Sequence, residues 1–449
     1  MVEPNKRLAL RGAALSFRGD PFIDGDEASL HYEQDGLILI ENGIVTAFGD
    51  YQAVKTQLRD HNIKQYSDAL ILPGFIDTHV HYPQTQMTGA YGKQLIDWLN
   101  KYTFVTEQQF ANADHATLVS DFFLGECLRA GTTTASVYCT VHPGSVDAFF
   151  QAADKRNMRM IAGKVLMDRN APDALTDTAQ SGYDQSEALI TRWHGLNRLS
   201  YAITPRFAPS STPQQLEAAG ALWKKHPHTH MQTHIAENQH EVDWVKSLYP
   251  ERHNYLDVYS HYGLVGPRAI FGHALHLEDV EWRQLAQTGS AVSHCPTSNS
   301  FLGSGLFDFA RAKQADQPIR LGLATDVGAG TTLSMLQTMG AAYKIGQLGH
   351  YSLSAAKAFY LATRGAAQAL YLEDKVGSIS PGMEADLLVL DLKSTPLIDF
   401  RMQHCENIEE ALFIQMTMGD DRATEAVYIA GELAYSRRTT NRSTYSLAG

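Results

Sequence analysis

Cysteine is scarce: the 449 residues contain four, at positions 127, 139, 295 and 405, and no two form a C-x-x-C pair. This excludes a disulfide framework and reads as the reduced thiols of a cytoplasmic protein. Long hydrophobic runs are missing. None approaches the roughly 18 uninterrupted apolar residues of a membrane span, so no membrane association is expected. The opening "MVEPNKRLALRGAALSF" lacks the apolar stretch of a secretory signal. Positive charge is in deficit, with 37 Lys and Arg against 49 Asp and Glu and a net charge of −12. Such a balance argues against nucleic acid or an anionic membrane surface as partner. There is no short-period repeat and no low-complexity tract. What the chain does have is apolar residues, 44% of the total, enough for a real core. Its length allows roughly three domains, or one large barrel with an addition.

The two ends read as β-structure. "LILIENGIVTAFGD" (37–50) is strand, Asn-Gly turn, strand. "ADLLVLDL" (385–392) and "AVYIAGELAYSR" (426–437) are again short strands, the latter turning at Ala430-Gly431. The ends together predict a small composite β-sandwich, from residues 1–70 and 377–449. The middle, 71–376, alternates short apolar runs with longer helical stretches such as "DHATLVSDFFLGECLRA" and "TPQQLEAAGALWKK". Its strand candidates are "ALILPGFIDTHVH", "GTTTASVYC", "RMIAGKVLMD", "LSYAITPRFAPS", "HTHMQTHIAEN", "AIFGHALH", "GSAVSHCPTSN" and "IRLGLATDVG". Eight strand–helix units predict an α/β fold, a closed (β/α)8 TIM-type barrel of parallel strands with its site at their C-terminal ends.

The polar residues at those ends form a set. His79 and His81 end the first strand; their spacing of two places both imidazoles on one face. Arg206 and Phe207 end the fourth. His234 ends the fifth, with Glu237 three residues on. His273 ends the sixth, His294 lies on the seventh, and Asp326 ends the eighth. Three imidazoles and a carboxylate suit a borderline divalent ion such as Zn²⁺ with one position left for water. Such an ion lowers the pKa of bound water to about 7.

This ordered set, H-x-H on strand one, single histidines on strands five and six and Asp on strand eight, resembles the amidohydrolase superfamily. "PGFIDTHVH" and "GSISPGMEADLLVLDL" resemble its cyclic deaminase and chlorohydrolase branch. More narrowly, "HYPQTQMTGAYGKQLIDWLNKYTFVTE" (81–107), "TPRFAPS", "THIAEN" and "TDVGAGTTLSML" resemble the guanine deaminase family.

The resemblance implies a cytoplasmic homodimer of purine catabolism or salvage that hydrolyses guanine. It implies one zinc ion per subunit on His79, His81, His234 and Asp326, a donor set that also suits Fe²⁺ or Mn²⁺. His273 would hold the attacking water or the developing oxyanion, and Glu237 would shuttle protons. Gln84, Arg206 and Phe207 would grip the purine, with His234 and Glu237 also facing it. The chemistry asks for such groups. The C2 carbon of guanine is a poor electrophile, and protonation at N3 helps attack on it. A glutamate suits that transfer and the later one to the leaving amine. Asp326 suits receiving a proton. Arg206 offers a planar fork of donors to the purine O6, and Phe207 a wall for the ring.

Two further readings remain. One is another heterocycle aminohydrolase or chlorohydrolase, acting on a pterin, a triazine or an adenosine-type substrate. The other is a barrel that binds a purine without turnover. Asp77 reads either as a partner of the site or as a polar residue of the barrel floor. Trp98, Tyr102 and Phe104 read as helix packing or as a lid, and whether residues 167–185 close over the substrate is left open by the sequence.

Overall fold

A computed structural model describes residues 6–91 and 98–438. Residues 1–5, 92–97 and 439–449, among them the opening three residues of the "LIDWLNKYTF" motif (95–104), lie outside the described residues. Eight parallel strands form the central sheet: Phe75–His81, Thr132–Tyr138, Arg159–Gly163, Leu199–Pro205, His230–Ile235, Ala269–His273, Ala291–His294 and Arg320–Leu323. They are called barrel strands one to eight. Each pairs in parallel with the next, and a two-residue strand, Val165–Leu166, adds to strand four. Strand one is buried at every residue, not at alternate ones. One face fills the barrel and the other lies under helices, so no polar alternation survives.

The barrel is closed between strands eight and one. The Thr78 hydroxyl donates to Leu323 O at 3.0 Å. Just beyond, Asp326 N donates to His79 O at 2.9 Å and His81 N to Val327 O at 2.8 Å. Strand-to-helix turns carry local signals. Asn112 accepts from Asp114 N to cap the helix Ala113–Arg129. Thr212 accepts from Gln215 N, with Pro213 next, to open the helix Pro213–Lys225.

The strands of the two ends are realised as one seven-stranded mixed sheet. Its order is Glu432–Ser436, Thr424–Ile429, Leu387–Asp391, Asn62–Pro73, Arg7–Phe17, Leu30–Glu41, Ile44–Asp50. The expected Asn42-Gly43 turn has both residues in the left-handed region, as a tight hairpin turn requires. One reading needs correction. The run "ALILPGFIDTHVH" is not one barrel strand: residues up to Pro73 belong to the terminal sheet and those from Phe75 to the barrel. Gly74 separates them, because a Cβ there would come within 2.3 Å of the Thr133 side chain.

At the N-terminal ends of the strands, charges join the barrel to this sheet. Arg198 donates to Glu384 and to Asp386, both at 2.6 Å, and Arg159 Nε donates to Glu384 at 2.8 Å. Arg320 meets Glu373, in the turn after the helix Arg364–Ala369, at 3.1 Å. Among the described residues, no helix is long and apolar enough to cross a membrane.

Candidate active site

At the opposite ends of the strands, four imidazoles and two carboxylates converge. His79 and His81 reach Asp326 Oδ1 through their Nε2 atoms, at 3.3 and 3.4 Å. His81 Nε2 lies 3.1 Å from His234 Nε2. His273 Nε2 lies 3.4 Å from Glu237 Oε2 and 3.8 Å from Asp326 Oδ2. Donor atoms of His79, His234, His273 and Asp326 all lie within 4.8 Å of one another. His81 joins through its short contacts to His234 and Asp326.

Local backbone aims these groups. His273, Asp326 and Ala236, which precedes Glu237, have φ of 73°, 50° and 48°. Non-glycine residues are held in that region only when the surroundings over-determine them, typically at functional sites. Gly272 makes room: a Cβ there would sit 2.6 Å from the His79 ring. Tyr138, at the end of strand two, packs its ring against His79, His81 and His234 at 4.5–4.9 Å between centroids.

Tautomers follow from the outer contacts. His234 Nδ1 lies 2.7 Å from Arg206 O, a carbonyl that can only accept, so its Nε2 carries a bare lone pair toward the cluster. His273 Nδ1 faces Asn299 Oδ1 at 2.9 Å. His79 and His273 have no hydrogen-bond partner at Nε2 among the described residues. Burial and mutual proximity push His79, His81 and His234 below the ordinary imidazole range. Burial alone would raise Asp326, but the adjacent His79 ring and the other nearby imidazoles outweigh it and hold the carboxyl at about 2. Neutral inward-facing imidazoles with unspent lone pairs beside an ionised carboxylate fit a divalent ion of the zinc type.

The proton-handling groups differ. Burial pushes Glu237 up to about 7. Its backbone N–H donates to Glu241 at 3.0 Å and its Oε1 accepts from Ser304 at 3.2 Å. Burial opposes charge on His273, yet Glu237 and Asp326 keep it above its ordinary value.

Around this cluster is a recess of about 30 Å³ lined by His81, Leu99, Arg206, Phe207, His234, Glu237 and Asp326. That is room for about one water, less than a purine ring fills. A wider groove of about 950 Å³ lies on the barrel's outer face, along the helix Pro213–Lys225, and touches none of these groups.

Among the expected purine contacts, Arg206 and Phe207 line the recess, whereas Gln84 stands behind it. The Gln84 amide donates to Glu107 at 2.9 Å and accepts from Gly328 N at 3.3 Å. His294 stacks on Phe307 at 4.3 Å with neither ring nitrogen hydrogen-bonded among the described residues, outside the recess lining. Asp77 touches no imidazole. It accepts from His79 N at 3.2 Å and from the Thr325 N–H and hydroxyl, tying strand one to the end of strand eight. The aromatic segment is a π-helical turn, Leu99–Thr103, continued by Phe104–Glu107, with Trp98, Leu99 and Phe104 buried against the site wall and Tyr102 packed partly buried beside them. Residues 167–178 are tied to the turn after Phe207: Asp168 accepts from Thr212 N at 2.7 Å and Asn170 donates to Pro209 O at 2.7 Å. Sequence reasoning gave no role to Leu99 and Glu107, although both lie within the quoted stretch 81–107, nor to Asn299.

A closed parallel barrel with this histidine–aspartate mouth defines a metal-dependent hydrolase, and the model of the amidohydrolase family matches residues 70–434. The chain belongs to that family. It is 51% identical over 419 residues to the guanine deaminase of Escherichia coli K12, covering 92% of this chain and 95% of that protein. A solved structure of E. coli guanine deaminase superposes with a TM-score of 0.93 at 50% identity, over 96% of this chain and all of that one. The structure of guanine deaminase from C. acetobutylicum with bound guanine superposes with a TM-score of 0.86 at 26% identity, over 96% and 100%.

Proposed function

We infer that the protein hydrolyses guanine to xanthine and ammonia. One observation carries the reading: the imidazole–carboxylate cluster opens on a recess walled by Arg206 and Phe207, in a chain half identical to a guanine deaminase over nearly its whole length. His79, His81, His234 and Asp326 hold one divalent ion, and zinc best suits the donor set. The ion's contribution is Lewis acidity, which makes water nucleophilic near neutral pH.

The protein's own groups do the rest. Glu237, with a carboxyl at about 7, takes a proton from the attacking water and delivers it to N3 of the ring. Glu237 then relays to the departing amine the second proton of the attacking oxygen, which Asp326 has accepted, so the C2–N bond breaks as ammonia leaves and C2 keeps the oxygen. His273, fixed by Asn299, donates from Nε2 to the attacking oxygen and holds it in line. Asp326 accepts the remaining proton of that oxygen. Arg206 donates to the 6-oxygen, and Phe207 covers a face of the ring. His294 stays outside this chemistry. A cytoplasmic homodimer, with domain boundaries near residues 70 and 376, completes the proposal; light scattering tests the dimer.

The test is conversion of guanine to xanthine, before and after chelation and zinc addition. Turnover that vanishes and returns supports site and substrate together. A zinc-loaded protein inert toward guanine sends the substrate assignment to the pterin, triazine and adenosine-type panel.

A further inference from the structure

Of the buried carboxylates that the functional reading leaves unused, Glu107 is bonded to two of the residues expected to meet the purine. Glu107 is fully buried, ends the helical turn Phe104–Glu107, and belongs to no barrel strand. One of its oxygens accepts from Gln84 Nε2 at 2.9 Å and the other from Arg206 Nη1 at 2.7 Å. The same turn supplies Phe104, whose ring lies 5.8 Å from the Arg206 guanidinium carbon. One short segment therefore grips Arg206 with both a carboxylate and an aromatic face.

We propose that Glu107 is the positioning residue for recognition of the purine's 6-oxygen, acting through Arg206 and Gln84. This rests on the guanine reading above. Three consequences follow from the geometry. First, Glu107 holds the guanidinium plane, so its remaining N–H donors point where a fixed carbonyl can meet them. Second, it neutralises a cation that is only 4% exposed. A lone buried guanidinium favours an anion, whereas the Arg206–Glu107 pair suits a neutral base with a carbonyl oxygen. Third, it orients the Gln84 amide, whose oxygen then accepts from Gly328 N in the turn after strand eight. Glu107 touches none of the reacting groups, so its removal changes binding and selectivity more than the chemical step.

The experiment compares zinc-loaded wild type and Glu107→Gln on guanine, with 2-aminopurine as competing ligand. That base keeps the 2-amino group and lacks the 6-oxygen. The variant is expected to raise KM for guanine by about tenfold or more, as loss of an aligned charge-assisted contact does, with kcat within a few-fold. The inhibition constant of 2-aminopurine stays the same. Glu107→Asp, which keeps a carboxylate, recovers part of the loss. In an Arg206→Gln background, Glu107→Gln adds little, because its partner is already gone. Equal weakening of guanine and 2-aminopurine, or additive losses in the double variant, overturns the proposal. If Glu107→Gln does not fold, Glu107→Asp and Arg206→Gln decide through the same selectivity ratio. Wild type that does not turn over guanine overturns the functional reading itself, a result visible before any variant is made.

Discussion

The two ends of the barrel are both rich in charge, and they use it in opposite ways. At the N-terminal ends, Arg159 and Arg198 share Glu384, Arg198 also holds Asp386, and Arg320 meets Glu373. Each of these three cations has an anionic partner, and the contacts cross from the barrel to its neighbours. At the C-terminal ends, His79, His81, His234 and His273 crowd around Asp326 and Glu237, and the Nε2 atoms of His79 and His273 have no hydrogen-bond partner among the described residues. Matched charges hold a structure together; unspent lone pairs and perturbed carboxyls are useful only to a ligand or a reaction. The same scaffold thus separates stability from chemistry by about the length of a strand.

Substitutions at the two ends should therefore separate activity from stability. The largest effect is expected from Asp326→Asn or from chelation. Losing the ion's several kcal/mol of charge stabilisation should cost at least about a thousandfold in kcat. Metal analysis should show the zinc content falling in parallel. Glu237→Gln should keep the zinc and lose about 10²- to 10⁴-fold in kcat, the usual worth of a proton shuttle. Full activity in that variant would remove Glu237 from the role. Gly272→Ala comes next. Its methyl group meets the His79 ring at 2.6 Å, and a displaced ligand of that kind costs about 10²-fold. Zinc occupancy and rate should drop together while circular dichroism is unchanged.

The smallest effect on activity belongs at the other end. Glu384→Gln should leave kcat and KM alone while lowering stability by about 2 kcal/mol, because two guanidinium groups lose their shared partner. Thermal melting reads this directly. The pH dependence has a definite sign. Burial would raise the Glu384 carboxyl, but Arg159 and Arg198 outweigh it and hold it below its ordinary value. Its stabilisation is therefore complete above the ordinary glutamate range and lost as pH falls through the lower folded value. The variant and wild type should melt at converging temperatures in acid. A fall in guanine turnover in Glu384→Gln at neutral pH would break the separation of the two ends.

Much of the cluster was legible because strand ends obey a simple rule. A run that enters a parallel barrel delivers its last residues to one mouth, so His79, His81, His234, His273 and Asp326 could be grouped from four distant segments. The wall was less legible. Leu99 and Glu107 come from a π-helical turn and a short helix with no strand to predict their direction. Gln84 was read as a direct purine contact, and its amide proves to be engaged by Glu107 and Gly328. The split at Gly74 was hidden because apolar residues continue across it, whichever sheet they join.

Residue order and type alone determined the eight strand–helix units, the tight turn at Asn42-Gly43 and the list of metal-type donors, since each depends on local periodicity or on side-chain chemistry. Only the tertiary structure decided which lone pairs stay free, which carboxyl sits at about 7 and which at about 2, and that one buried glutamate joins Gln84 to Arg206. Those properties depend on burial and on ångström-scale distances between residues far apart in the chain, which exist only once strand eight has closed against strand one.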